Sequence, residues 1–171
     1  MSALQSLEVL LADDNPNMRT IVFAMLKSIG VTRLREVNDG SAALEALKAR
    51  PADLAIVDFR MLPMDGVTFT QLIRTAPDSP NPYLPIIMMT GHSEKRRVAQ
   101  ARDAGVTEFL VKPVTPQALL TRIQSVIMRP REFIKTDSYF GPDRRRTEGE
   151  IFAGPFRRST DQGRPDASNE A

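Results

Sequence analysis

Hydrophobic positions along the chain fall into two alternating kinds of segment. Residues 7–12 (LEVLLA), 53–58 (DLAIVD), 85–90 (PIIMMT) and 108–112 (EFLVK) are short apolar runs with the character of buried strands, and residues 34–37 add a shorter one. Between the runs the apolar residues take helical spacing. Met18, Ile21, Val22, Met25, Leu26 and Ile29 follow the start signal Asn15-Pro16 and end at Gly30. Ala42, Ala43, Leu44, Ala46 and Leu47 follow Asp39 or Ser41 as a cap. Val67, Phe69, Leu72 and Ile73 make a third helix, and a polar fourth covers about 94–104 and stops near Gly105. Thr115-Pro116 open a fifth, with Leu119, Leu120, Ile123, Val126 and Ile127 on one side.

The pattern is βα repeated five times. Apolar runs alternating with helices predict an α/β fold: a five-stranded parallel sheet, doubly wound, with helices on both faces. In such sheets the functional groups collect beyond the carboxyl ends of the strands. The first run ends in Asp13 and Asp14, the third in Asp58, the fourth in Thr90 and the fifth in Lys112. Three carboxylates, a hydroxyl and an ammonium are thereby expected on one edge.

Three neighbouring carboxylates repel one another and raise each other's pKa, and a divalent cation relieves this. Magnesium takes hard oxygen ligands and keeps waters and phosphate oxygens in its shell. An aspartate beside such an ion is a competent nucleophile toward phosphorus. The metal and Lys112 neutralise charge on the transferring group, and Thr90 is placed to donate to it. Each acid alone would read as a helix cap; the five positions in this order point to phosphoryl chemistry. A phosphatase of the haloacid-dehalogenase kind also uses an Asp nucleophile, but its D-x-D-x-T pattern is broken here by Asp58-Phe59-Arg60.

Composition adds limits. The 171 residues are 42% hydrophobic and 26% charged, as in soluble globular proteins, and include no cysteine, so disulfides and thiolate chemistry are excluded. No apolar run is long enough to span a bilayer, and the first residues lack the basic region and cleavage site of a signal peptide. The expected location is cytoplasmic, with no membrane. A formal charge of +2 is too small to suggest nonspecific binding of DNA.

The segments LLADDNPNMRTIV, AIVDFRMLPMDG, IIMMTGHSE and EFLVKP resemble the receiver domain of bacterial two-component response regulators, the CheY-like, flavodoxin-like fold. The resemblance covers about residues 5–128. It implies that Asp58 accepts phosphate from a histidine kinase or phosphotransfer protein, and that Asp13, Asp14, Asp58 and the backbone carbonyl of Arg60 hold Mg2+. It implies that Lys112 pairs with the phosphoryl group across a cis Lys112–Pro113 bond, and that Thr90 and Phe109 are the switch pair. A phosphoacceptor of this kind promotes its own phosphorylation and dephosphorylation without being an enzyme in the ordinary sense. Arg60 and His92 take positions that, in the resembled family, flank the phosphoryl group. Met61, Leu62, Met64, Met88 and Met89 read as core or loop packing.

The domain boundary is expected at 128, with residues 129–171 an arginine-rich extension, irregular and largely disordered without a ligand. It holds nine basic residues, eight of them arginine, and five of the ten aromatics, but few aliphatics. It also holds a repeat. Residues 141–148 (GPDRRRTE) align with residues 154–161 (GPFRRSTD). Arginine pairs with guanine and phosphate, and carboxylates accept from guanine N–H groups. Two guanines and two phosphates occur together in cyclic di-GMP. The stretch resembles the arginine-rich extension of CheY-like cyclic-di-GMP effectors of motile alphaproteobacteria. That resemblance makes Arg144, Arg145, Arg146, Arg157 and Arg158 candidate ligands, with Asp143, Glu148 and Asp161 as guanine readers. It implies action by protein contact on motility or surface-attachment machinery, including a flagellar motor switch protein. The alternatives are a plain phosphorylation-controlled regulator and a phosphorelay intermediate, neither binding nucleotide.

Overall fold

The computed structural model describes residues 2–91 and 96–145. A single helical turn, α1 (Ala3–Ser6), precedes β1 (Glu8–Ala12), α2 (Pro16–Ser28), β2 (Arg33–Val37), α3 (Gly40–Ala49), β3 (Leu54–Asp58), α4 (Gly66–Thr75), β4 (Ile86–Thr90), α5 (Val98–Ala104), β5 (Glu108–Val111) and α6 (Pro116–Met128). Two short strands follow, β6 (Phe133–Lys135) and β7 (Phe140–Pro142). The main sheet is parallel throughout, in the order β2-β1-β3-β4-β5. The expected five-stranded, doubly wound fold is the fold observed.

Strand side chains alternate between the faces, and each face packs its own helices. Leu10, Ala12, Ala55, Val57, Ile86 and Met88 meet the apolar sides of α3, α4 and α5. Val9, Leu11, Leu54, Ile56, Ile87 and Met89 meet those of α2 and α6. β1, β3 and β4 are therefore buried on both faces, which explains their unbroken apolar runs. Helix starts follow their caps: Asn15 accepts from the Asn17 and Met18 amides, Asp39 from Ala42, Asp65 from Thr68 and Thr115 from Ala118. Gly30, after α2, takes a φ of 105° that other residues avoid.

No strand period is legible after α6, yet the chain forms an antiparallel hairpin there, pairing Phe133 with Pro142 and Lys135 with Phe140. Three-residue strands are too short to show alternation. The hairpin leans on the receiver: Phe133 and Phe140 meet the largely exposed Tyr83 ring at centroid distances of 5.1 and 5.4 Å, and Tyr139 is buried with its hydroxyl donating to Pro142 O. Leu62 also differs from its expected role. Met61, Met88 and Met89 are buried, but Leu62 is 81% exposed on the loop after β3. Among the described residues, no helix is long and apolar enough to cross a membrane.

Candidate functional site

Parallel strands that end together bring Asp13, Asp14 and Asp58 to one edge, with one carboxylate oxygen from each lying within 4.8 Å of the others. Asp13 is fully buried, Asp58 is 5% exposed and Asp14 faces solvent. Lys112, just beyond β5, places Nζ 2.6 Å from Asp58 Oδ1. Its own amide donates to Thr90 O at 2.7 Å, which ties the lysine to the end of β4. The Lys112–Pro113 bond is cis, as expected, and so is Leu62–Pro63, which nothing in the sequence signalled. Thr90 is buried at the end of β4. Phe109, one strand over and opposite Met88, is half-buried and packs against the core beneath α3, α4 and α5.

Burial dominates the electrostatics. Desolvation pushes the Asp58 carboxyl up to about 6, against the lowering effect of the Lys112 hydrogen bond and with Asp13 adding to the rise. Asp13 is also raised, chiefly by burial and against the Asn15 amide that donates to its Oδ1 at 2.9 Å. Its second oxygen, Oδ2, is buried without a hydrogen-bond partner among the described residues. An unsatisfied buried carboxylate oxygen beside two more carboxylates fits a hard divalent cation with oxygen ligands, and Mg2+ suits that donor set. When bound, such an ion neutralises charge on a phosphoryl group.

Supporting residues escaped the sequence reading. Arg19 donates from Nη1 to Asp13 O at 2.8 Å and pairs with Glu36 at 3.6 Å, fixing the end of β1. It lies one turn into α2, where helical spacing turns it back toward the strand end. Gly66 opens α4 so close to the end of β3 that a Cβ there would stand 2.4 Å from the Asp58 carbonyl oxygen. Arg60 is exposed on the loop after β3. His92 lies outside the described residues.

Of the tail candidates, Asp143, Arg144 and Arg145 are described; Arg146, Glu148, Arg157, Arg158 and Asp161 lie outside the described residues. Arg144 pairs with Asp103 at 2.5 Å and covers the Tyr139 ring at 4.1 Å, while Arg145 grips Asp143 from Nε and Nη2. That grip holds the Asp143 carboxyl below its usual range. Gly141, first residue of the repeat, packs on Gly105: a Cβ on Gly141 would lie 3.0 Å from Gly105 Cα and 2.6 Å from the Tyr139 hydroxyl.

A doubly wound sheet whose strand ends gather three acids, a threonine and a lysine defines a phosphoacceptor receiver. The chain belongs to the response regulator receiver domain family, which matches residues 9–124. The chemotaxis protein CheY of Pseudomonas aeruginosa is 31% identical over 123 residues, covering 72% of this chain and 98% of that protein. CheY-3 of Vibrio cholerae is 30% identical over 125 residues, covering 73% and 95%. Among solved structures, Vibrio cholerae CheY4 aligns with a TM-score of 0.64 at 30% identity, covering 71% of this chain and 98% of that one. The receiver domain of a Pseudomonas aeruginosa sensor histidine kinase aligns with a TM-score of 0.62 at 31% identity, covering 69% and 94%; its structure is described with a magnesium ion coordinated in the active site cleft. The hairpin lies outside the family match.

Proposed function

We propose that this chain is a phosphorylation-controlled, CheY-like response regulator in which Asp58 is the phosphoacceptor and output is by protein contact. The observation that supports it best is the Asp58 carboxylate itself: nearly buried, 2.6 Å from Lys112 and grouped with Asp13 and Asp14. In the proposed step an Asp58 oxygen attacks the phosphorus of a phosphohistidine on a kinase or phosphotransfer protein. The P–O bond forms, the P–N bond breaks, and the imidazole leaves and takes up a proton. Asp13, Asp14, Asp58 and the Arg60 carbonyl hold Mg2+, which neutralises phosphoryl charge when bound. Lys112 then pairs with the phosphoryl oxygens instead of the carboxylate, and Thr90 and Phe109 respond as the switch pair. A downstream partner, such as a flagellar motor switch protein, reads the altered surface. Incubation with Mg2+ and a small phosphodonor such as phosphoramidate tests the reading. Intact-mass spectrometry should show one phosphoryl adduct on the wild type and none on Asp58→Asn; an equal adduct on the variant sinks it.

A second reading adds cyclic di-GMP at the doubled motif. It is favoured by Arg145, 83% exposed and already in side-on pairing with a carboxylate, the geometry that would grip a phosphate. Binding through the first copy must compete with the Asp103 and Asp143 contacts. Calorimetric titration of the full chain with cyclic di-GMP, repeated on Arg157→Ala/Arg158→Ala, decides it: absence of heat with the intact chain removes the nucleotide.

A further inference from the structure

The two helices that flank Asp58 both end beneath the C-terminal hairpin. α4 begins against the phosphoacceptor strand: the Gly66 amide donates to Phe59 O at 3.2 Å, and there is no room for a side chain over the Asp58 carbonyl. Its far end carries Arg74, 3% exposed, whose Nε donates to Gly105 O at 3.0 Å and Nη1 to Pro82 O at 2.8 Å. The same guanidinium lies 5.0 Å from the Phe133 ring centroid of β6. α5 repeats the arrangement. Arg97, at its N-cap, lies 5.1 Å from the ring centroid of Phe59, the neighbour of Asp58. At its other end Asp103 pairs with Arg144, and Gly105 abuts Gly141 and the Phe140 carbonyl.

We propose that the hairpin, residues 131–145, and the Asp58 site are coupled through α4 and α5, so that occupation of the site loosens the hairpin and release of the hairpin favours occupation. The inference rests on the reading of Asp58 as phosphoacceptor. Helices packed this closely at both ends move as bodies rather than deform, so a displacement at one end is delivered at the other. The hairpin is the element with two states. A two-stranded hairpin of this length is marginal on its own and depends on its docking contacts. Among the described residues those contacts include the Arg74 guanidinium, the Asp103–Arg144 pair, the glycine–glycine approach and the Tyr83 cluster. Arg131 adds a tie to Glu108 on β5, which Arg122 of α6 also reaches. The docked hairpin accompanies the Lys112–Asp58 pair, the arrangement that phosphorylation breaks, and this sets the sign. Coupling is reciprocal, so whatever factor the site exerts on the hairpin the hairpin returns.

The test uses the full chain with Mg2+ and beryllofluoride, a stable stand-in for a phosphoryl group on a carboxylate. Hydrogen exchange is followed at the Thr136 and Asp143 amides, which donate to Tyr139 O and Glu132 O across the hairpin. Beryllofluoride should speed their exchange by about fivefold or more, the lower end of ordinary allosteric coupling. Gly141→Ala, which forces a Cβ toward Gly105, should tighten beryllofluoride binding by the same factor. Asp103→Asn, which removes the charge of a half-exposed side chain, should tighten it in the same direction and stands in if Gly141→Ala misfolds. Beryllofluoride binding with hairpin exchange unchanged or slowed, or either folded variant binding no more tightly, overturns the coupling while leaving Asp58 as phosphoacceptor. No beryllofluoride binding at all removes that reading and the coupling with it.

Discussion

Lys112 and Asp58 sit in direct contact, Nζ to Oδ1 at 2.6 Å, with the carboxylate nearly buried and the lysine side chain partly open to solvent. The ammonium is thus already in place to neutralise negative charge at the site, and a phosphoryl group on Asp58 would inherit its partner. Replacing it leaves a buried carboxylate without this cation and removes a fixed charge from the transition state. Lys112→Met should slow modification by a small phosphodonor by at least about tenfold, since one lost charge contact of this kind is worth about 2 kcal/mol or more. The rate of adduct formation by intact-mass spectrometry checks this.

Burial of Asp58 makes the site pH-sensitive. Its carboxyl is raised to about 6, so below that pH an incoming cation must displace a proton. Mg2+ affinity should fall by about tenfold for each pH unit below 6 and level off above it. Titration of Mg2+ at constant ionic strength between pH 5 and pH 8, values chosen to bracket about 6, reads the slope directly.

The same shift has a stability consequence in metal-free protein. Because the folded-state value lies above the unfolded one, the contribution of Asp58 is fully present below about pH 4 and is lost as pH rises through about 6. The rise corresponds to about 3 kcal/mol. With EDTA present, Asp58→Asn should therefore gain stability relative to wild type as pH is raised from about 4 to about 7. Urea denaturation at both pH values tests the difference; a pH-independent gap would contradict it.

Much of this site is legible from the chain alone, and the reason is geometric. Parallel strands buried on both faces produce unbroken apolar runs, and each run ends at the same edge of the sheet, so the pattern alone gathers Asp13, Asp58, Thr90 and Lys112. What escapes is whatever depends on packing between distant segments. Gly66 looks like a loop glycine after Asp65, but its place is set by the Asp58 carbonyl that closes off its Cβ. Arg74 is marked by nothing in the sequence, yet it is buried under a hairpin whose strands are too short to announce themselves. Gly141 reads as part of a ligand motif, and in the first copy it is a contact surface for Gly105.

Gly66 allows a sharp steric test. The atom that a Cβ would meet is backbone oxygen at 2.4 Å, which cannot rotate away, and Met88 Cε stands at 3.0 Å behind it. Gly66→Ala gains a little in helix propensity but forces α4 off the end of β3. The overpacking cost should outweigh the gain and leave the protein about 1–3 kcal/mol less stable. Because the displaced atom belongs to Asp58, the variant should also be modified more slowly by a phosphodonor than an equally destabilised core variant such as Ile73→Val.

Arg74 separates charge from packing. Burial lowers its guanidinium to about 10, yet it stays protonated at neutral pH, held by two carbonyls and an aromatic face, with no carboxylate paired to it among the described residues. Its Nη2 is buried without a partner among the described residues. Arg74→Met keeps the length and apolar contact of the side chain but strips Gly105 O and Pro82 O of their donors. Buried carbonyls left unpaired cost about 1–3 kcal/mol each, while removing a desolvated charge returns part of that. The net effect should be a loss of about 1–3 kcal/mol. Arg74→Lys should fare no better, because an ammonium cannot reach both carbonyls in the fork geometry of a guanidinium. Exchange of the Thr136 and Asp143 amides should rise in Arg74→Met by more than global destabilisation accounts for, since Phe133 there loses the cation beneath its ring. If exchange rises only in proportion to global stability, Arg74 serves α4 and α5 alone and the hairpin is held by its other contacts.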